Sequence, residues 1–501
     1  MNETARRLLA ATVALAGVVL PRLASAETLS VSDAVREALR NNPTLRAASS
    51  DLVAARGLTT RESARYDATL TFKLGATHSE NPSLSPGASS VQVASSDVAE
   101  ASSTLEKTLS SGTELSASVG STASKSSSPY VVSSAQGAGE PLILQTGPGY
   151  LLSTKLGVTQ PLLRGSGSEV TLSPYHQAVA EESATLRERD RTASAVARDV
   201  LLAYWELWYA SKAIEVDRTA RETARAQRDD AALRARTGSL APADVLTFET
   251  QLATKDEALL QSELEQTTRR NDLGELLGRE RGQGELEVFD SEPPSPQDLP
   301  VELVSRARES SPEVAASQAN AAVVEVQGRT AADQYRTRLD LDAYLQAQGL
   351  GNRDVPSAFS QLAGLGVLSA HVGLTLELPL TGARQRGEAS RALATLDAAR
   401  QRLSAARNQA ASQVTTLARK HELARRRIEL ATVSTEFASR QLAAKQALFA
   451  TGSAAALEVT QAEDSVQAAN KRLARARADA VEADVALAYH LGALLKSLTI
   501  P

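Results

Sequence analysis

The chain of 501 residues contains no cysteine. This excludes disulfides, thiolate catalysis, Cys-ligated zinc and a lipid anchor on an N-terminal cysteine. Aromatic side chains are nearly as scarce, at 3% of residues, which is poor filling for one large globular core and better suited to long Ala/Leu helices. Positive charge is not in excess either: 54 Lys and Arg stand against 59 Asp and Glu, for a formal net charge of −5. A nucleic-acid partner needs a basic stripe, so none is expected. Beyond the first two dozen residues no stretch is apolar enough to span a bilayer as a helix, which takes about 20 apolar residues.

What is present begins with an address. Arg6 and Arg7 precede an apolar run from Leu8 to Leu20, followed by Ala24, Ser25 and Ala26. A charged start, a short apolar run and small residues before a cleavage point make residues 1–26 a secretory signal, cut after Ala26. The mature chain is therefore expected to leave the cytoplasm.

The chain also repeats itself. Thr237-Gly238-Ser239 followed by Ala243-Asp244-Val245 matches Thr451-Gly452-Ser453 followed by Leu457-Glu458-Val459, at an offset of 214 that also carries Leu277-Gly278 onto Leu491-Gly492. Val245, Leu252, Leu259 and Leu273 keep a seven-residue register that Val459, Val466, Leu473 and Leu487 repeat, with Gln266 and Ala480 at the skipped step. A heptad seam of this kind means coiled-coil packing. Upstream, Leu156 to Pro161 aligns with Leu374 to Pro379, and Asn42-Pro43 with Ser311-Pro312. Residues 281–300 hold Pro293, Pro294, Pro296 and Pro300, which neither a helix nor a central strand tolerates. The sequence thus predicts a first repeat over 27–280, a linker over 281–300 and a second repeat over 301–501.

Each repeat reads as helix, strands, very long helix, turn, helix. Leu70, Phe72 and Leu74 alternate with Thr69, Thr71 and Lys73, a period of two that belongs to strands. The same alternation places strands at 67–77, 151–160, 338–348 and 368–378, each close to the length a tilted membrane strand needs. Between them, Ser79–Glu100, Ser121–Gly149 and Gly349–Gly366 are rich in Ser, Gly and Pro and are expected to be mobile surface loops. A further hairpin over Thr104–Gly120 is compatible with the pattern, and its place in a sheet is left open. Long helices are expected at 174–236, 243–278, 385–449 and 457–495; those of over sixty residues would extend about 95 Å at 1.5 Å per residue.

Four strands cannot close a barrel alone, since about eight is the smallest practical number. An open sheet in lipid leaves edge N–H and C=O groups unpaired, so the chain is expected to oligomerise. Three copies of four strands would give about twelve and enclose a pore.

With this plan in view, the chain resembles the TolC-type outer-membrane efflux proteins, trimeric channel-tunnels of Gram-negative bacteria. The resemblance covers both repeats and is most specific at Val158-Thr159-Gln160-Pro161-Leu162-Leu163-Arg164-Gly165 and at the helix-turn-helix segments Thr237–Gly278 and Thr451–Gly492. It implies an α+β membrane protein: a homotrimeric twelve-stranded β-barrel in outer-membrane lipid, continued by an α-helical barrel in the periplasm. It also implies a periplasmic adaptor and an inner-membrane pump as partners, in tripartite efflux or type I secretion. No cofactor and no enzymatic activity are implied.

The resemblance makes the two helix-turn-helix turns the periplasmic tips, where the adaptor docks and the pore narrows. The tip residues here are Gly238, Ser239 and Leu240, with Gly452, Ser453 and Ala454. As helix-ending glycines they also have a plain reading as C-caps. Six residues after each tip glycine stands a carboxylate, Asp244 and Glu458. Threefold symmetry would make each a ring of three, and such rings select cations; an acid in a first helical turn is equally what the helix dipole favours. A second acidic position of the family falls on Gln461, which weakens any field at the constriction. The family's closing latch uses a Tyr and an Arg where this chain has Phe449 and Ala454, neither of which can make those bonds. Closure is therefore expected to use apolar packing of Phe449.

Other candidates carry less. His78, His176, His371, His421 and His490 fall on separate elements without ligand spacing. Tyr204, Trp205, Trp208 and Tyr209 share one helix and read as packing. No phosphate loop and no Ser/His/Asp arrangement is present. The competing reading is a secreted coiled-coil scaffold, for which four alternating strands flanked by Ser/Gly segments have no use.

Overall fold

The structure is a computed structural model that describes residues 27–83, 91–134, 137–280, 286–289, 292–294, 299, 302–331 and 333–497. The signal segment 1–26 and most of the Pro-rich stretch 281–300 lie outside the described residues.

In chain order the elements are β1 Glu27–Leu29, α1 Val31–Asn41, α2 Pro43–Ala64, β2 Thr69–Ser83, β3 Gln92–Thr108, β4 Glu114–Ser134, β5 Gly137–Pro161, α3 Ser168–Thr171, α4 Ser173–Arg236 and α5 Pro242–Leu277. They continue with β6 Leu286–Val288, α6 Leu303–Ser310, α7 Pro312–Thr330, β7 Arg338–Asn352, α8 Val355–Ala363, β8 Val367–Glu377, α9 Ala383–Ala450, α10 Ala456–His490 and α11 Leu494–Ser497. The stretch read as linker contains β6, which pairs in parallel with β1. Two compact units result: a helical unit from the described parts of Met1–Ser49, Glu188–Ala315 and Ala406–Pro501, and a sheet unit from Ser50–Arg187 and Ala316–Ala405.

The sheet unit is built on one antiparallel sheet of order β2-β3-β4-β5-β7-β8. It has six strands where alternation predicted four. The segments read as mobile loops, Ser79–Glu100 and Ser121–Gly149, are for the most part paired strand. The open hairpin of Thr104–Gly120 is part of β3 and β4 and lies in the middle of this sheet. The reason for the difference is side-chain size. On β3 and β4 the apolar face carries Leu105, Leu115 and Val119 near the turn, but beyond it Ala99, Ala101 and Ala123 among serines, and small neutral residues give little contrast between faces. Only pairing to the Leu-bearing neighbours fixes them as strands.

Register makes the two faces of the sheet distinct. Leu70, Leu105, Ala117, Leu156, Leu345 and Ala370 form one row across all six strands. The adjacent row, one residue along each strand, is Thr71, Thr104, Ser118, Lys155, Gln346 and Ser369. Neighbouring residues along a strand point to opposite faces, so one face is apolar and the other polar. The apolar face is not covered by a core: Phe72 is 71% exposed, Leu74 86% and Val372 74%.

Gly349–Gly366, the third expected loop, is the end of β7 followed by helix α8. Asp354 caps α8 by accepting from the Ser357 backbone N–H at 3.2 Å, and Pro356 sits in its first turn, where a missing N–H costs nothing. The helix lies directly on Gly349 and Gly351. A Cβ on either would fall 1.9 Å from the Ala358 carbonyl oxygen or 2.0 Å from that of Asp354, so no other residue fits beneath it.

The helical unit has its core where Val200, Tyr204, Trp205, Leu207 and Trp208 of α4 meet Val35 of α1, Leu273 and Leu277 of α5, and Val485 and Tyr489 of α10. The Tyr204 hydroxyl donates to the Leu29 carbonyl at 3.1 Å, tying the core to the short β1–β6 pair. Along α10 as a whole the packing is small-sided. Ala462, Ala469, Ala476 and Ala483 are all buried at heptad spacing, beside buried Val459, Ala480 and Leu487.

Candidate functional site

The two helix-turn-helix turns are built by the same backbone bonds. After α4, Gly238 has φ +75°; its N–H reaches the Ala235 carbonyl at 3.1 Å and that of Ser239 reaches Arg234 at 2.9 Å. After α9, Gly452 has φ +74°, and the N–H groups of Gly452 and Ser453 reach Phe449 at 3.0 Å and Leu448 at 2.8 Å. This is the Schellman closure, in which a left-handed residue lets the chain reverse while satisfying the last carbonyls. Gly238, Ser239, Gly452 and Ser453 are exposed, Ala454 is half-buried, and Leu240 turns inward.

Phe449, partly buried, packs with Leu240 and Val245 against an apolar cluster of Ala231, Phe248 and Ala456. The Phe248 and Phe449 rings meet edge-on with centroids 6.2 Å apart, a favoured aromatic geometry. Arg234 lies over the Phe449 ring at 6.0 Å and is held by Asp230 at 2.7 Å. A cavity of 160 Å³ bordered by Gln227, Phe248, Gln446 and Phe449 adjoins the cluster. Phe449 thus ties the α4–α5 turn to the α9–α10 turn within one protomer.

The two carboxylates differ. Both stand in the first turn of a helix, Asp244 on α5 and Glu458 on α10. Glu458 makes a charged bond to Lys445 across the turn, and its other oxygen lies 3.5 Å from the Ala455 backbone N–H. Lys445 and then this amide hold its carboxyl below the usual range. At the offset of 214 that relates Glu458 to Asp244, Lys445 falls on Ala231, so Asp244 lacks the equivalent lysine. Gln461 is exposed on α10.

Sequence reasoning missed Lys445. A signal existed, since residues nearly equidistant from a turn glycine face each other on antiparallel helices, and Lys445 and Glu458 lie seven before and six after Gly452. It also missed a buried polar node between α4, α5 and α10. The Asp217 side chain is fully buried and accepts from Lys471 and Gln467, each at 2.6 Å, and from the Ser262 hydroxyl. Beside it, Lys255 donates to Asp464 at 2.5 Å and to Gln467. A buried charge must be paired and bonded in this way, which makes the node a specific fastening of three helices. A cleft of 610 Å³ opens beside it, lined by Trp208, Lys255, Glu463 and Gln467 among others.

The histidines stay apart. His421 bonds Asp484 at 2.5 Å, His371 stacks on Tyr344, and His78 bonds Asp97 at 2.6 Å. Among the described residues no group of three or more His, Asp or Glu is placed to hold a metal ion. Among the described residues no helix is long and apolar enough to cross a membrane, which says nothing of the sheet.

The chain combines a two-faced sheet with helices of 64 and 68 residues. The structure is similar to VceC from Vibrio cholerae (18% identity, TM-score 0.65, covering 92% of this chain and 96% of that one). It is likewise similar to CmeC from Campylobacter jejuni (13%, 0.67, 92% and 85%) and to the open state of MtrE from Neisseria gonorrhoeae (16%, 0.62, 93% and 89%). In sequence, residues 303–493 match the outer membrane efflux protein family. That match covers the second half of the chain alone, and the structural likeness shows that the chain as a whole has the fold of these channels. No curated protein matches the chain.

Proposed function

We propose that the chain is the passive outer-membrane duct of a tripartite efflux or type I secretion system, working as a homotrimer with a periplasmic adaptor and an inner-membrane pump. The observation that carries this reading is the sheet: one uncovered apolar face, one polar face, and two edge strands, β2 and β8, each paired on one side alone. Such a sheet suits lipid on one side and water on the other, and only once its edges are closed by other copies. The polar face then lines the lumen with Lys73, Lys155, Asp340 and Asp342.

In this reading the tips at Gly238–Leu240 and Gly452–Ser453 form the periplasmic entrance and offer the adaptor its docking surface. Asp244 supplies the less neutralised ring of carboxylates, and Glu458 a ring balanced by Lys445. Phe449 holds the entrance narrow by apolar contact, and the two halves of the chain are structural repeats. Energy comes from the pump.

The test is single-channel conductance of the detergent-extracted protein in a planar bilayer, with reversal potential measured across a salt gradient. Uniform steps with cation preference, reduced by Asp244→Asn, are the expected result. Full solubility without detergent, together with no bilayer insertion, would overturn the reading.

A further inference from the structure

The hairpin formed by β3 and β4 sits inside the sheet, between β2 and β5, and not at its margin. β3 pairs with β2 from Thr69↔Glu106 to Ser83↔Gln92, and with β4 from Ser95↔Ser127 to Thr108↔Glu114. The apolar row passes through it without a break, as Leu105 and Ala117 between Leu70 and Leu156, and so does the polar row, as Thr104 and Ser118. Its short turn is fastened where β5 ends: the Gly167 N–H donates to the Ser111 carbonyl at 3.2 Å, and Thr113 bonds Gln160 at 2.5 Å. Short turns at the helix-bearing end and longer connections at the other are the habit of outer-membrane barrels.

Strand direction completes the case. With the hairpin present, directions alternate from β2 to β8; with it removed, β2 and β5 would still be antiparallel neighbours. The hairpin is therefore a module that widens the wall by two strands without disturbing the rest. Edge strands β2 and β8 also run in opposite directions, so β2 of one copy can meet β8 of the next as an antiparallel pair. An even number of strands per chain makes this possible.

We propose that β3 and β4 belong to the membrane wall and that three copies, joined β2 to β8, close a barrel of eighteen strands. This rests on the duct reading above. Because barrel diameter grows roughly in proportion to strand number, the wall is about 1.5-fold wider than twelve strands would make it. Barrels of 16 to 18 strands leave an open aqueous channel. The sheet end of the duct is then not its filter, and it admits solutes of porin-passing size from outside.

The absence of cysteine makes a clean experiment available. Single variants Leu105→Cys and Ala117→Cys on the apolar row, Ser118→Cys on the polar row, and Leu156→Cys on β5 are reacted in intact outer membranes with a charged, water-soluble maleimide. Labelling of Ser118→Cys with protection of Leu105→Cys, Ala117→Cys and Leu156→Cys is expected. Labelling of Leu105→Cys and Ala117→Cys while Leu156→Cys stays protected would remove the hairpin from the wall and overturn the proposal alone. Labelling of Leu156→Cys as well would overturn the duct reading with it. Electron cryomicroscopy of the full chain then counts strands: eighteen from three chains supports the proposal, and twelve, whether from two chains or three, overturns it. In bilayers, a variant lacking 92–134 should exclude polyethylene glycols from the sheet end at a radius about 1.5-fold smaller, and an unchanged cut-off would speak against the added width.

Discussion

Glu458 and Asp244 look alike in sequence, each an acid in a first helical turn, and Lys445 makes them different. Its loss in Lys445→Met should return the Glu458 carboxyl toward the ordinary carboxylate range and release its charge into the proposed pore. The expected outcome is a reversal potential shifted further toward cations, undone by adding Glu458→Gln, while stability changes little because the pair is partly exposed. Because the folded pKa of Glu458 is depressed, the pair persists as pH falls to about 4.5 and is lost only below it. Glu482 behaves oppositely. It shares the Arg475 guanidinium with Glu206 and Asp479, and burial first, then its acidic neighbours, push its carboxyl up to about 7. A raised carboxyl pKa penalises the fold above pH 7, and the penalty lifts as pH falls toward the unfolded value. Glu482→Gln should therefore stabilise the protein at pH 8 by about 1 to 2 kcal/mol and by little at pH 5, as read by thermal unfolding in detergent at both values. The Glu482 behaviour could not be read from the sequence, because Glu206 is brought from another helix, whereas Lys445 and Glu458 lie at nearly equal distances from Gly452 and the tip glycines stand out in the repeat; Phe449 is singled out by the family resemblance.

At the scale of elements, α8 shows how closely backbone can approach where no Cβ intervenes. Gly349→Leu should lift α8 from the sheet, since the new side chain meets the Ala358 carbonyl and cannot pass it; protease cleavage within Ser357–Leu362 should become rapid while β7 keeps its pairing. A variant that remained resistant would show that the contact is not what holds the helix. The helix was legible in principle from Asp354 as cap and Pro356 just inside, but nine residues flanked by glycines looked like a loop. Strands β2, β5, β7 and β8 could be read because Leu, Val and Phe alternate with Thr, Lys and Gln. In β3 and β4 the turn end alternates Leu105, Leu115 and Val119 with polar residues, but beyond it the alternation is Ala against Ser, and the difference in burial preference is too slight to register without the neighbours that impose it. The long helices were the easiest elements of all, since Pro174 opens one and Gly238 and Gly452 close two, with little between to interrupt them.

At the scale of the molecule, the chain is incomplete by itself. Strands β2 and β8 are each paired on one side alone and a broad apolar face is exposed; in the duct reading its stability is inseparable from lipid and from other copies. A fastening such as Asp217 with Lys471 and Gln467 keeps the helices in register in the meantime, because a buried charge tolerates no slippage away from its partners. The alanine row of α10 has the opposite character. Ala462, Ala469, Ala476 and Ala483 let helices approach toward the short end of the usual 8–10 Å separation, yet a methyl group interlocks too shallowly to act as a cog. Small axial sliding of packed helices is a recognised way for proteins to change shape, and along this stretch the bonds of Asp217 to Gln467 and Lys471 oppose it far more than the alanines do. The barrier to moving one helix past another is then concentrated in a few large contacts, the Phe248–Phe449 pair among them, so a partner that loosens those contacts meets a bearing surface already in place.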